Sequence, residues 1–267
     1  MPGGKIGKKV NAVQALLLAI VLVVAALLAF SASVARAQGG ARADVNRDVQ
    51  PYQQGGNRHA QAYKNGTFYG VEGIIETADP KIREPGAGGC APFSYASINI
   101  INTNSGIKWI ETGWTKSPAS GCVPKFTWAI QPGVANFIND VQPTVGVAYK
   151  YRIVKVSDGQ WRLRIFTTGG LLLKTVDISN PGLNSGTMLQ AVGEVHSPNS
   201  QQDMGVSGIT SLKWRKSDGT WRPWNGWTKG VEDNPPYHVV AVPSDPNNAV
   251  QVYGNNGNPV PPGAPCP

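Results

Sequence analysis

Beyond residue 37, no stretch of this chain keeps an apolar residue on a 3.6-residue period for three turns, whereas short alternating apolar/polar runs recur between turn signals. A chain that cannot build an amphipathic helix must bury its apolar surface between sheets. The clearest unit is "FSYASINII" (93–101) and "IKWIETGWTK" (107–116), joined by "NTNSG", whose residues tolerate positive φ. Two more hairpins turn at Ser157-Asp158-Gly159-Gln160 and Ser217-Asp218-Gly219-Thr220, where Asp-Gly favours a tight reversal. Further strand-like runs lie at 67–76, 125–130, 171–177, 188–196 and 237–242. About ten to fourteen strands result, which predicts an all-β chain folded as an antiparallel two-sheet β-sandwich of jelly-roll or concanavalin-like type. The 32 glycines, 21 prolines and only 15% charged residues suit such a turn-rich fold.

The first residues follow another logic. Lys5, Lys8 and Lys9 precede an unbroken apolar run from Leu16 to Phe30, and Ala35-Arg36-Ala37 is a small-x-small cleavage signal. This order predicts a signal peptide over 1–37, cleaved after Ala37, and a secreted, extracellular protein with no membrane attachment after cleavage. The apolar run is short for a bilayer span. Residues 38–63 read as a flexible polar lead-in, 64–254 as one sandwich domain and 255–267 as a Pro/Gly-rich tail. Of the 24 Lys and Arg residues, set against 16 acids, four lie in the leader (Lys5, Lys8, Lys9, Arg36). No dense basic stripe remains, which argues against a nucleic-acid partner, and a monomer is expected.

The cysteines are Cys90, Cys122 and Cys266. If Ile101 lies opposite Lys108 in the first hairpin, Cys90 and Cys122 come together at its open end. A Cys90–Cys122 disulfide is therefore expected ahead of any pairing with Cys266.

Two acids stand out. Glu111 sits among large apolar residues in "WIETGW", and Glu194 follows a glycine in "LQAVGEVHS". Strand alternation puts Trp109, Glu111, Gly113 and Thr115 on one face, and Gln190, Val192, Glu194 and His196 on one face of the later strand. They could be two unrelated charges on a solvent face. Brought close, they would instead share a proton, so that one activates water while the other serves as acid.

"WIETGWTKSP" resembles the strand of the neprosin family that carries a Glu or Gln just before Gly-Trp. "AVGEVHSPNSQQDMGVSG" is similar to that family's later segment, in which Gly-Gly-Glu-Val precedes Met-Gly-Ser-Gly. Between them, "YRIVKVSDGQWRLRIF" resembles the family's hairpin ending in tryptophan, and the order of the three segments agrees. Gly193 is preceded here by Val192 rather than by a second glycine. The resemblance implies a secreted glutamic endopeptidase acting on polypeptide at acidic pH, with Glu111 and Glu194 as the catalytic pair and no cofactor. Trp109 and His196, which share faces with the acids, are the expected substrate neighbours.

Other chemistries have less support. His59, His196 and His238 lack metal-ligand spacing, and neither HExxH, CxxC nor Gly-x-Ser-x-Gly occurs, so no metal site is expected. All eight tryptophans fall between 109 and 227, four of them in "WRKSDGTWRPWNGW" (214–227). They read either as core and hairpin packing or as an aromatic platform for sugar rings or peptide side chains. The platform supports the alternative function, a non-catalytic secreted module binding carbohydrate (a glycan) or protein. A sandwich glycosidase would also need two carboxylates, but the Glu-x-Asp-x-x-Glu run of one large group is missing.

Overall fold

The alternation of small and large apolar residues becomes two sheets with their apolar sides together. The computed structural model describes residues 57–83, 92–104, 107–131, 135–196, 202–232, 237–254 and Cys266. The leader, most of the lead-in and nearly all of the tail lie outside the described residues, as does Cys90. No helix among the described residues is long and apolar enough to cross a membrane.

The first sheet contains β1 (Asn57–Phe68), β3 (Phe93–Asn102), β4 (Lys108–Lys116), β5 (Lys125–Ile130), β6 (Asn136–Ile138), β10 (Gly186–His196) and β13 (Thr228–Glu232). Their order is β13, β1, β10, β3, β4, β5, β6. The second contains β2 (Gly70–Glu76), β7 (Ala148–Ser157), β8 (Gln160–Thr167), β9 (Leu172–Ser179), β11 (Ser207–Arg215), β14 (Tyr237–Ala241) and β15 (Val250–Gly254). Here the order is β14, β15, β11, β2, β7, β8, β9, with the short β12 (Trp221–Pro223) added on β11. All pairings are antiparallel. The all-β sandwich expected from the sequence is the observed fold.

Ile98, Ile100, Ile110 and Trp114 of the first sheet are fully buried, as are Val71, Ile75, Ile153 and Leu163 of the second. Each buried methylene is worth about 0.8 kcal/mol, and this apolar layer is the main favourable term. Two buried indoles spend their N–H on backbone carbonyls, Trp114 on Glu76 at 3.0 Å and Trp161 on Leu183 at 2.6 Å. Gly193 is required by the close approach of the layers, because a Cβ there would stand 2.7 Å from Met204 Sδ and 2.9 Å from Val252.

Three expectations are corrected. The first hairpin pairs Ile101 with Trp109 and Asn102 with Lys108, one residue away from the register read from the sequence. The sheet also begins earlier than the domain boundary at residue 64. β1 starts at Asn57, inside the stretch read as a polar lead-in, because Ala60 and Ala62 fill the core although they are too small to register as an apolar stripe. Last, the disulfide joins Cys122 to Cys266 rather than to Cys90. Cys266 exchanges two backbone hydrogen bonds with Ile82, at 3.0 and 3.2 Å, and this holds the end of the chain beside the open end of the hairpin. Proximity in sequence favours Cys90, whereas the partner of Cys122 is 144 positions away.

The bridge spans 144 residues. Closing so long a loop constrains the unfolded chain, so Cys266→Ser is expected to cost about 2–5 kcal/mol in denaturant unfolding. Peptide mapping without reductant should recover one fragment carrying both Cys122 and Cys266.

Candidate active site

Only the outer face of the first sheet brings the two conspicuous acids together. β3 lies between β10 and β4, and its register sets the geometry: Tyr95 pairs with Glu194, and Asn99 pairs with Glu111. One outward position, Ser97, separates the two rows. Tyr95 is long enough to span that gap. Its hydroxyl lies 2.6 Å from Glu194 Oε2 and 3.4 Å from Glu111 Oε2. On the far side of Glu194, its β1 partner His59 brings Nε2 to 3.2 Å from the same carboxyl oxygen.

The electrostatics of the pair are unequal. Burial, then the charge of Glu194, push the Glu111 carboxyl up from 4.5 to about 7, against hydrogen bonds from Tyr95 and Trp109 that favour its ionised form. Burial also raises the Tyr95 phenol well above its ordinary value, with the two carboxylates adding to the effect. One phenolic proton cannot serve two carboxylates. Tyr95 donates it along the short contact to Glu194, and a protonated Glu111 can place its own proton in the longer gap. The arrangement is two carboxyls within reach of one hydroxyl, with burial favouring the protonated form of Glu111.

Polar side chains carpet the face beside the acids. Ser97 Oγ donates to Asn99 Oδ1 at 2.9 Å, Asn99 Nδ2 to Gln190 Oε1 at 3.4 Å, and Gln190 Nε2 to Gln61 Oε1 at 3.0 Å. Next to Glu111, Gly113 leaves the floor bare. A Cβ at this position would come within 1.9 Å of the Ala96 carbonyl oxygen, so "ETGW" has no room for a larger residue.

The structure thus brings Glu111, Glu194 and Trp109 to one place. His196 faces the same way but one row outward, where Nδ1 lies 2.8 Å from Asn57 Oδ1 and the ring stacks on Phe93 at 6.0 Å. Tyr95 and His59 were missed in the sequence. Both act through pairings between strands distant along the chain, and nothing local marks them. The tryptophan-rich segment is elsewhere: Trp214 and Trp221 lie on β11 and β12 of the other sheet, and Trp224 is fully buried. Trp214 packs edge-on against Phe68 at 5.5 Å, while Trp214 and Trp227 spend their N–H on the carbonyls of Pro223 and Pro246. Among the described residues no group of three His, Cys, Asp or Glu could hold a metal ion.

Comparison with solved structures gives the sandwich a context. The chain is similar to scytalido-glutamic peptidase bound to a transition-state analogue inhibitor, with a TM-score of 0.53 and 13% identity, over 74% of this chain and 98% of that one. A structure of scytalido-glutamic peptidase with a peptide-based transition-state analogue gives a TM-score of 0.51, again at 13% identity, over 74% and 98%. The likeness is one of fold. No family model matches the chain, and no curated protein matches it. The architecture is therefore a β-sandwich like that of scytalido-glutamic peptidase, and the neprosin resemblance rests on the sequence segments alone.

Carboxyl-carbon NMR should find the Glu111 midpoint near 7, and Glu194→Gln should lower it, because a neighbouring negative charge that raises it is removed. The folded pKa lies above the unfolded one, so the contribution of Glu111 to stability is complete below about 4.5 and is lost as pH rises through about 7. Glu111→Gln should flatten that part of the stability–pH curve.

Proposed function

We propose that this protein is a glutamic-type endopeptidase of the neprosin kind, exported and active at acidic pH on polypeptide, with Glu111 and Glu194 as its catalytic pair. The observation that carries the proposal is that two carboxyls from strands far apart in sequence reach one hydroxyl, that of Tyr95, on the outer face of one sheet. The fold likeness to scytalido-glutamic peptidase adds support, as do the three neprosin-like segments. A disulfide suits an oxidising compartment outside the cytosol.

The unequal acids suggest their roles. Glu194, held by Tyr95 and His59, serves as the base and takes a proton from water as the water oxygen attacks the scissile carbonyl carbon. Glu111, carrying its proton, donates a hydrogen bond to the carbonyl oxygen and stabilises the negative charge that develops there. When the tetrahedral intermediate collapses, the C–N bond breaks and the nitrogen takes the proton held by Glu194. Both acids then regain their starting states. The amide carpet of Gln61, Gln190 and Asn99 offers donors and acceptors to an extended peptide backbone. Trp109 supplies an apolar wall beside Glu111.

Purified protein should cleave an unfolded polypeptide at acidic pH. Glu111→Gln and Glu194→Gln should each lower kcat/KM by about a hundredfold or more while circular dichroism stays unchanged. Because Glu111 must keep its proton, kcat/KM should fall about tenfold per pH unit above a midpoint near 7. Unchanged cleavage in either variant would reject the dyad. A wild-type protein that cuts nothing but binds glycans tightly would favour the binding-module alternative.

A further inference from the structure

The outer face of the second sheet carries a different chemistry. Across β7 and β8, Arg152 pairs directly with Arg164, and Val154 pairs with Arg162. Like charges opposite each other across two strands are destabilising unless something neutralises them. One acid is well placed to do so: Glu72 on β2, the other cross-strand neighbour of Arg152, accepts from Arg152 Nε at 2.6 Å and lies 3.9 Å from Lys213 Nζ. It is largely committed to Arg152.

The remaining cations lack comparable partners. Arg162 and Lys155 meet Asp177 and Asp158 at 2.6 Å each, but those carboxylates are 59% and 94% exposed, so water screens them. Arg215 is oriented by neutral acceptors alone among its recorded bonds, through Nε to the Gly219 carbonyl at 3.3 Å and Nη1 to the Lys155 carbonyl at 2.9 Å. Arg164 Nε is buried with no hydrogen-bond partner. A buried N–H in that state carries an uncompensated desolvation cost.

These groups surround a cavity of about 320 Å³, lined by Arg152, Lys155, Arg162, Arg164, Arg215 and Trp221. Its shape is built in. Gly70 lies under the Trp221 ring, where a Cβ would sit 3.2 Å from the ring and 2.8 Å from the Ile153 carbonyl oxygen. Trp221 and Phe166 both flank the Arg152 guanidinium, at 5.2 and 5.4 Å from their ring centres, and fix its plane.

The geometry points to an oxyanion site in this cleft, taking a sulfate or phosphate group, free or as the ester of a small sugar. Four arginines and a lysine line one cleft. A carboxylate offers two oxygens and one charge, whereas a tetrahedral oxyanion offers up to four oxygens and two charges, enough for several forks at once. The cavity also has room for part of the group that bears the ester. The site lies on the opposite sheet from Glu111 and Glu194 and does not depend on the function proposed for them.

Isothermal titration of the whole protein with inorganic sulfate, inorganic phosphate, glucose 6-sulfate and glucose 6-phosphate tests this, with sodium chloride at matched ionic strength and glucose as controls. Saturable binding tighter than about 1 mM is expected for at least one oxyanion and for neither control. Arg164→Gln and Arg215→Gln should each weaken it about tenfold or more. Arg222→Gln, which does not line the cleft, should leave it unchanged, and thermal melts would show that the variants are folded. Equal affinity for ion and ester identifies the free ion as the ligand, whereas a tenfold preference for an ester identifies the sugar-borne group. No binding beyond chloride, or binding that both cleft variants retain, would overturn the proposal.

Discussion

A single phenolic hydroxyl, Tyr95 Oη, has two carboxyl groups within reach and one proton to give. That shortage orders the face around it. The short bond goes to Glu194, which His59 also approaches from β1. Glu111 is left half-buried, facing a negative neighbour, with its carboxyl raised to about 7. Its surroundings alone thereby favour the protonated form of Glu111, which is what the acid half of a hydrolytic site requires.

The difference depends on strand register. β3 is central because β10 and β4 hydrogen-bond to its two edges, and the pairings of Tyr95 with Glu194 and Asn99 with Glu111 stagger the acids by two outward rows, with Ser97 between. A slip of one residue in either pairing would turn an acid into the core. The glycine beside each acid resists such slips. Gly113 cannot carry a Cβ against the Ala96 carbonyl, and Gly193 cannot carry one against Met204 and Val252. The sequence around each glutamate is thus explained twice, by the packing of the glycine and by the place of the acid on the outer face of the sheet.

Much of this was legible before any coordinates. Hairpins are local, so turn residues and alternation locate β3 and β4, β7 and β8, and the neighbours that share a strand face with Glu111 and with Glu194. What failed was long-range or depended on small side chains. β1 was read as a lead-in from 57 to 63 because Ala60 and Ala62 give no strong apolar signal, although both are fully buried. Cys266 was set aside because pairing across 144 residues leaves no trace in spacing. Tyr95 and His59 looked ordinary because their partners lie on β10, and no local pattern shows which strand will lie beside which.

The two outer faces carry opposite chemistry, and their separation matters to the acids. Stacked sheets lie about 10 Å apart, and charges on their outer surfaces are further apart still, beyond the screening length of physiological salt. The cations clustered on β7, β8 and β11 therefore act weakly on Glu111. The influences on its carboxyl are burial, Glu194, Tyr95 and Trp109, with no cation among them. A single arginine moved to the acid face would favour the ionised form of Glu111 and remove the proton that the proposed chemistry needs. Cations are concentrated on the second sheet, and the apolar layer that stabilises the fold keeps them at a distance from the acid pair.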